Sequence, residues 1–299
     1  MNAQRDLKIY SCFAATPARV LSLVRLLRVR KEPMPADEVD EWLHPPSLRS
    51  GDGTGRSSQV AEVVGAASEL ELVSRTGLGE LVLSPELQAD VCQNENLAQE
   101  VARKAAKTAF APSIADIPNG FATLTAWWCH QKVFWLPETT EDLQQRLTDQ
   151  GFELDALKAR NNQRWDMLRY WWQFFGLATN MTTAVNRGKL PGVMPDATGF
   201  LSTHLQELIP TPGKSVAIGS FLETLGGLCA ALDGGSVCLA VGDTIGVGPG
   251  LTGALSMGLL RLEKRSVLRA WCPDDQRDFA ITRDDRRVAF VATTEGALT

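Results

Sequence analysis

Residues 57–83, SSQVAEVVGAASELELVSRTGLGELVL, decide the fold. Ser57 or Ser58 can cap a helix, because a side-chain oxygen there accepts from the free N–H groups of the first turn. Val60, Val63, Val64, Ala67 and Leu70 then recur at helical spacing and make one apolar face. Leu72-Val73-Ser74-Arg75 and Glu80-Leu81-Val82-Leu83 read as two short strands joined through the turn residues Gly77 and Gly79. A helix running into a hairpin is the closing half of a winged helix. In that helix-turn-helix variant the third helix enters the major groove of DNA and the hairpin flanks the backbone.

The segment upstream supplies the other two helices. Thr16-Pro17 reads as an N-cap followed by proline in the first turn, opening a helix through Arg30. Its apolar residues Val20, Leu23, Val24 and Leu27 share one face, and Pro33 and Pro35 stop it. A second helix is expected from Asp37 to Leu43, with Val39, Trp42 and Leu43 facing inward. His44 to Arg56, rich in Gly, Pro and Ser, reads as a loop. Residues 1–88 thus form an N-terminal winged helix with a basic first helix.

Residues 89–212 read as a helical, Trp-rich middle domain. Helices are expected from Glu95 to Phe110, Phe121 to Trp135 and Asn161 to Phe175, and the last two hold six of the eight tryptophans. Trp165, Leu168, Trp172 and Phe175 fall on one helical face, broadened by Tyr170, Trp171 and Phe174. Such a stripe can stack unpaired bases. Its plainer reading is a packed core or domain interface. Lys189 to Gly199 is Pro/Gly-rich and reads as a loop.

Residues 213–299 repeat the first layout and are expected to form a C-terminal winged helix. Ser220 to Leu232 reads as a helix, Val237 to Val241 as a strand or part of a second helix, and Leu251 to Lys264 as a third helix. Val267 to Trp271 and Asp278 to Ile281, with the turn Pro273-Asp274-Asp275 between them, read as a hairpin. The fold class expected is therefore mainly α with short β-hairpins, two winged helices flanking a Trp-rich helical middle.

Charge separates the 299 residues into unequal parts. Residues 1–31 hold seven basic groups against Asp6, a balance of +6, and the remainder holds 23 basic against 34 acidic groups. From Arg19 to Lys31 five cations occur with no acid between them, a pattern that suggests nucleic acid or an acidic protein surface as partner. No apolar run approaches the ~20 residues that span a bilayer. Met1 to Tyr10 does not read as a secretory signal, so a cytoplasmic protein is expected. Cys12, Cys92, Cys129, Cys229, Cys238 and Cys272 lack CxxC or zinc-finger spacing, and His44, His130 and His204 stand alone. No metal site is expected.

Three motifs invite an enzymatic reading and fail on spacing. Gly248-Pro249-Gly250-Leu251-Thr252-Gly253 matches GxGxxG, yet too few residues remain after Trp271 to build the sheet of a dinucleotide fold. Gly213-Lys214-Ser215 ends like a P-loop, but Leu208 stands where its first glycine belongs, and Pro210 and Pro212 remove N–H donors. Cys129-His130 is adjacent in sequence, so on a helix the two side chains diverge by about 100°. No catalytic residue and no cofactor is expected.

What survives is a set of candidate nucleic-acid contacts. Arg25, Arg28, Arg30 and Lys31 would attract the backbone. Arg56, Ser57, Ser58, Gln59 and Arg75 line the first recognition helix and hairpin, and Thr252, Ser256, Arg261, Lys264, Arg265, Arg269 and Arg277 the second. Glu62, Glu69 and Glu71 oppose DNA at the first helix, and residues 261–287 balance eight cations against six acids.

Ala126-Trp127-Trp128, Arg164-Trp165 with Trp171-Trp172-Gln173-Phe174-Phe175-Gly176, and Leu255-Ser256-Met257-Gly258-Leu259-Leu260-Arg261-Leu262-Glu263 carry a family likeness. With the order of elements above, the chain resembles the DpdG-type accessory proteins of bacterial defence islands that modify and restrict DNA through deazapurine bases. Gly258 departs from expectation, standing mid-helix where alanine would be usual. The resemblance implies a role in anti-phage restriction beside helicase or nuclease partners, and it carries over no catalytic residue. Two functions follow as expectations. One is a non-enzymatic binder of duplex DNA in a defence or regulatory system. The other is an adaptor whose winged helices and aromatic middle dock other defence proteins without touching DNA.

Overall fold

The computed structural model describes residues 7, 9, 12–45, 58–88, 97–111, 120–132, 139–180, 192–248 and 250–294. The fold is mainly helical with small antiparallel sheets, as expected. Two compact units divide the chain: Met1–Ala109 with Gln163–Trp171, and Phe110–Asn162 with Trp172–Thr299. Among the described residues no helix is long and apolar enough to cross a membrane.

In the first unit α1 (Pro17–Arg30) starts as the sequence dictates. Thr16 is its N-cap and accepts from the Arg19 N–H at 3.4 Å, with Pro17 in the first turn. Val20, Leu23, Val24 and Leu27 are buried. The helix ends at Lys31, which takes the left-handed conformation (φ 62°) and returns its N–H to the Leu27 carbonyl. Next come α2 (Ala36–Leu43), α3 (Ser58–Glu69), β1 (Val73–Arg75) and β2 (Leu81–Leu83). The expected hairpin forms, pairing Val73 with Leu83 and Arg75 with Leu81. Met34 adds a bridge on the far side of β2, exchanging both backbone hydrogen bonds with Leu81. The resulting order is Met34–β2–β1. Helices α4 (Pro85–Gln88) and α5 (Leu97–Ala109) follow.

Trp42 corrects one expectation. It is 60 % exposed rather than inward, because the Arg30 guanidinium lies 5.3 Å from its ring centroid and gives it a cation instead of a core.

The second unit opens with α6 (Gly120–His130) and α7 (Thr140–Asp149), the latter closed by a capping box between Thr139 and Asp142. Helix α8 (Asn162–Phe174) is divided between the units, Gln163–Trp171 falling in the first, and its aromatic stripe is core. Trp165, Trp171, Trp172 and the adjoining Phe175 are buried, and Tyr170 alone of that face is exposed. Trp172 stacks on Trp128 with centroids 4.9 Å apart and planes 9° from parallel, and its Nε1–H donates to Thr125 Oγ1 at 2.9 Å. The stripe therefore cannot stack on bases from outside.

Residues 189–199 are more ordered than a loop where they are described. β3 (Ala178–Asn180) pairs antiparallel with β4 (Val193–Pro195), and α9 (Thr198–Thr203) follows at once. The cause is close backbone approach. Gly176 has φ 71°, and a Cβ there would stand 2.4 Å from the Phe200 nitrogen. After α10 (Leu205–Leu208) come β5 (Val216–Ala217), α11 (Ile218–Leu228) and α12 (Ser236–Ile245), so Val237 to Val241 is helical. The Gly213-Lys214-Ser215 stretch enters β5 rather than a helix.

Helix α13 (Gly253–Lys264) is followed by β6 (Leu268–Trp271), β7 (Ala280–Ile281), β8 (Arg287–Val288) and β9 (Phe290–Thr293). The hairpin expected between 267–271 and 278–281 does not form. β6 pairs with β9, β9 pairs with β5 on its other side, and β7 pairs with β8. β9 completes an inward face: its Val291 and Thr293 are buried with Leu268 and Ala270, and Ala292 between them is buried as well. The sheet order β5–β9–β6 matches Met34–β2–β1 of the first unit.

Candidate nucleic-acid interface

In the first unit the cations of α1 divide by partner. Arg28 is buried and its Nη1–H donates to Glu100 at 3.1 Å. Arg30 pairs with Glu38 while lying over Trp42. Arg25 and Lys31 are exposed and make no ion pair among the described residues. Ser58 and Gln59 are exposed at the start of α3. Arg56 and Ser57 lie outside the described residues. The outward side of α3 beyond them carries Ala61, Gly65 and Ser68, and Glu62 accepts from the Ala14 N–H at 3.0 Å.

The hairpin is tied at its tip. Thr76 Oγ1 accepts from the Leu78 and Glu80 N–H groups at 3.3 and 3.2 Å, and Arg75 Nη1–H donates to the Gly79 carbonyl at 3.0 Å. Arg75 is nonetheless exposed, so its guanidinium keeps free donors facing solvent.

In the second unit Thr252, Ser256 and Arg261, at the start of and along α13, are engaged by other residues of the unit. Thr252 is the N-cap, buried, and its N–H and hydroxyl both donate to Asp233 at 2.7 and 2.6 Å. A carboxylate of the chain itself thus occupies the helix N-terminus that follows the GxGxxG match. Ser256 is buried and accepts from the Arg283 N–H at 3.0 Å. Arg261 pairs with the buried Asp196, and the Ala197 N–H donates to the Ala254 carbonyl. These contacts hold α13 against α9. They also explain Gly258: a Cβ there would come within 3.1 Å of the Ala197 and Thr198 backbone. Lys264, Arg265, Arg269 and Arg277 are exposed.

Sequence reasoning missed a polar cluster that depends on tertiary contact. His130 does not engage its neighbour Cys129. Its Nε2–H donates to the Cys238 carbonyl at 3.1 Å, with Cys238 Sγ 3.4 Å away. Burial pushes the thiols of Cys129, Cys229 and Cys238 up, the reverse of what a thiolate nucleophile needs. Burial also holds His130 below the usual imidazole range, and it raises Asp233 in spite of the Thr252 hydrogen bonds. Among the described residues no group of three or more His, Cys, Asp or Glu side chains is placed to hold a metal ion. The remaining described cysteines, Cys12 and Cys272, are half-buried; Cys92 lies outside the described residues.

A family profile described as DpdG-like matches residues 9–276. No curated protein and no solved structure matches the chain.

Proposed function

Because the chain belongs to the DpdG-like family, we propose that it is a non-enzymatic, cytoplasmic subunit of a bacterial DNA-modification defence system and that its first unit binds duplex DNA. Family membership supports the defence role. One observation supports the DNA role. The first unit runs helix, bridge, helix, helix, hairpin, with Met34 joined to β2, which is the layout of a winged helix. On this reading α3 offers Ser58 and Gln59 to the groove at its N-terminal end, and Arg75 reaches the backbone from the hairpin. Arg25 and Lys31 add sequence-independent attraction. The second unit has the same sheet order, but its α13 is enclosed, so it supports the fold rather than reading a groove.

Titration of duplex DNA across a salt series tests this. The logarithm of affinity should fall linearly with the logarithm of salt concentration, by ~0.9 per phosphate neutralised. Arg25→Ala with Lys31→Ala should flatten that slope by about two contacts. An absence of binding at low salt overturns the DNA role and leaves the adaptor. The adaptor has one observation in its favour: beyond Gln59 the outward side of α3 carries no cation, only small residues and glutamates. A helix face of that composition suits a protein surface better than phosphate.

A further inference from the structure

We propose a second nucleic-acid site, for a single strand, on the outward face of the β5–β9–β6 sheet. It goes beyond the duplex reading and rests on different residues in the other unit. Side chains alternate across a strand. Leu268, Ala270, Val291 and Thr293 point into the unit and are buried; Arg269, Trp271, Phe290 and Ala292 share the other face, where Ala292 is buried beneath its larger neighbours. The register sets Ala217, Phe290 and Trp271 side by side in one row across the three strands. Trp271 and Phe290 are half-buried, their centroids 5.7 Å apart and their planes within 29° of parallel. Arg269 is exposed and lies 5.5 Å from the Trp271 centroid. On the adjoining hairpin Arg287, also exposed, lies 4.7 Å from the Phe279 ring.

The charge pattern favours nucleic acid over protein as occupant. Arg269 and Arg287 are the only charged residues on strands β5 to β9, and each sits against a ring. Of the nearby acids, Asp274, Asp275, Asp278, Asp284 and Asp285 fall in the turns, and Glu263 is engaged by the Ala270 N–H and by Arg286. Paired rings with Arg269 beside them, and Arg287 against Phe279 on the next hairpin, match a strand of unpaired nucleotides, with bases stacking on Trp271 and Phe290 and phosphates meeting the guanidiniums. The tryptophans of α8 cannot do this because they are buried, whereas Trp271 and Phe290 are half-buried.

The test is fluorescence anisotropy of a labelled oligothymidylate with the full chain at low salt. Binding is expected, weakened about tenfold by Trp271→Ala and by Phe290→Ala and largely kept by Trp271→Phe. Arg269→Ala with Arg287→Ala should flatten the salt dependence by up to two contacts while leaving both rings in place, which guards against a Trp271→Ala chain that fails to fold. No binding by the wild-type chain overturns the proposal. So does a folded Trp271→Ala variant of unchanged affinity, which would assign the face to a protein. Loss of oligothymidylate binding through Arg25→Ala and Lys31→Ala alone would place the strand on the first unit and also overturn it. Duplex binding measured in parallel keeps the two sites distinguishable.

Discussion

Protonating His130 would place a cation among groups that compensate it poorly. The imidazole is partly buried against α12, faces the Cys238 carbonyl and has Asp233 and Arg283 nearby. Burial is the largest influence and lowers its pKa in the folded state. The stability His130 contributes is therefore present above the ordinary imidazole value and lost as pH falls through the depressed folded one. Thermal melts should decline below about pH 6.5, and His130→Gln should flatten that part of the profile; an unchanged slope would show that other groups set it. Asp233 acts in the opposite sense. Its folded-state value is raised, so its contribution is present at low pH and is lost as pH rises through that value. Gly258 is a purely steric case. Alanine there would gain about 1 kcal/mol of helix propensity, but it meets backbone at 3.1 Å on two atoms and Leu201 at 3.0 Å. Overpacking of this kind costs ~1–3 kcal/mol, so Gly258→Ala should lower the unfolding midpoint in urea. From the sequence Gly258 was visible as an anomaly, and its reason was not, because the reason lies some sixty residues away on α9.

The end of α1 sets two demands against each other. Lys31 occupies a left-handed position that favours glycine and costs roughly 1–2 kcal/mol for a side chain. It is also one of the exposed cations on which the duplex-binding proposal rests. Lys31→Gly should raise the melting temperature and weaken duplex binding together; a variant that binds as tightly as the wild type would remove Lys31 from the interface. Elements whose partners are near in sequence were legible beforehand. The cap of α1, the faces of α1 and α3, and the β1–β2 hairpin all follow from local periodicity and turn residues. The partner of β6 was not, because Val267 to Trp271 is followed by a good turn and a second apolar run. That run, at Ala280–Ile281, pairs instead with Arg287–Val288. Local turn chemistry competed with a longer-range pairing that buries Val291, and burial prevailed.

Across the whole chain, net charge conceals more than it reveals. The −5 total combines a basic first tenth with an acidic remainder. Among the described cations of the basic tenth, Arg28 and Arg30 are engaged by Glu100 and Glu38 and Arg19 donates to the Ala14 carbonyl, while Arg25 and Lys31 face solvent. Counting charges located the region, and only the geometry separated structural cations from available ones. The candidate site was legible to the same degree. Arg75 and Arg269 were identified from hairpin position and are exposed, whereas Thr252, Ser256 and Arg261 are held by Asp233, the Arg283 N–H and Asp196. The sheet that carries Arg269 also constrains how the protein is made. β5 emerges from the ribosome about 70 residues before β9, its only strand partner among the described residues. At ~5–20 residues per second that leaves Val216 and Ala217 without a strand beside them for several seconds of synthesis.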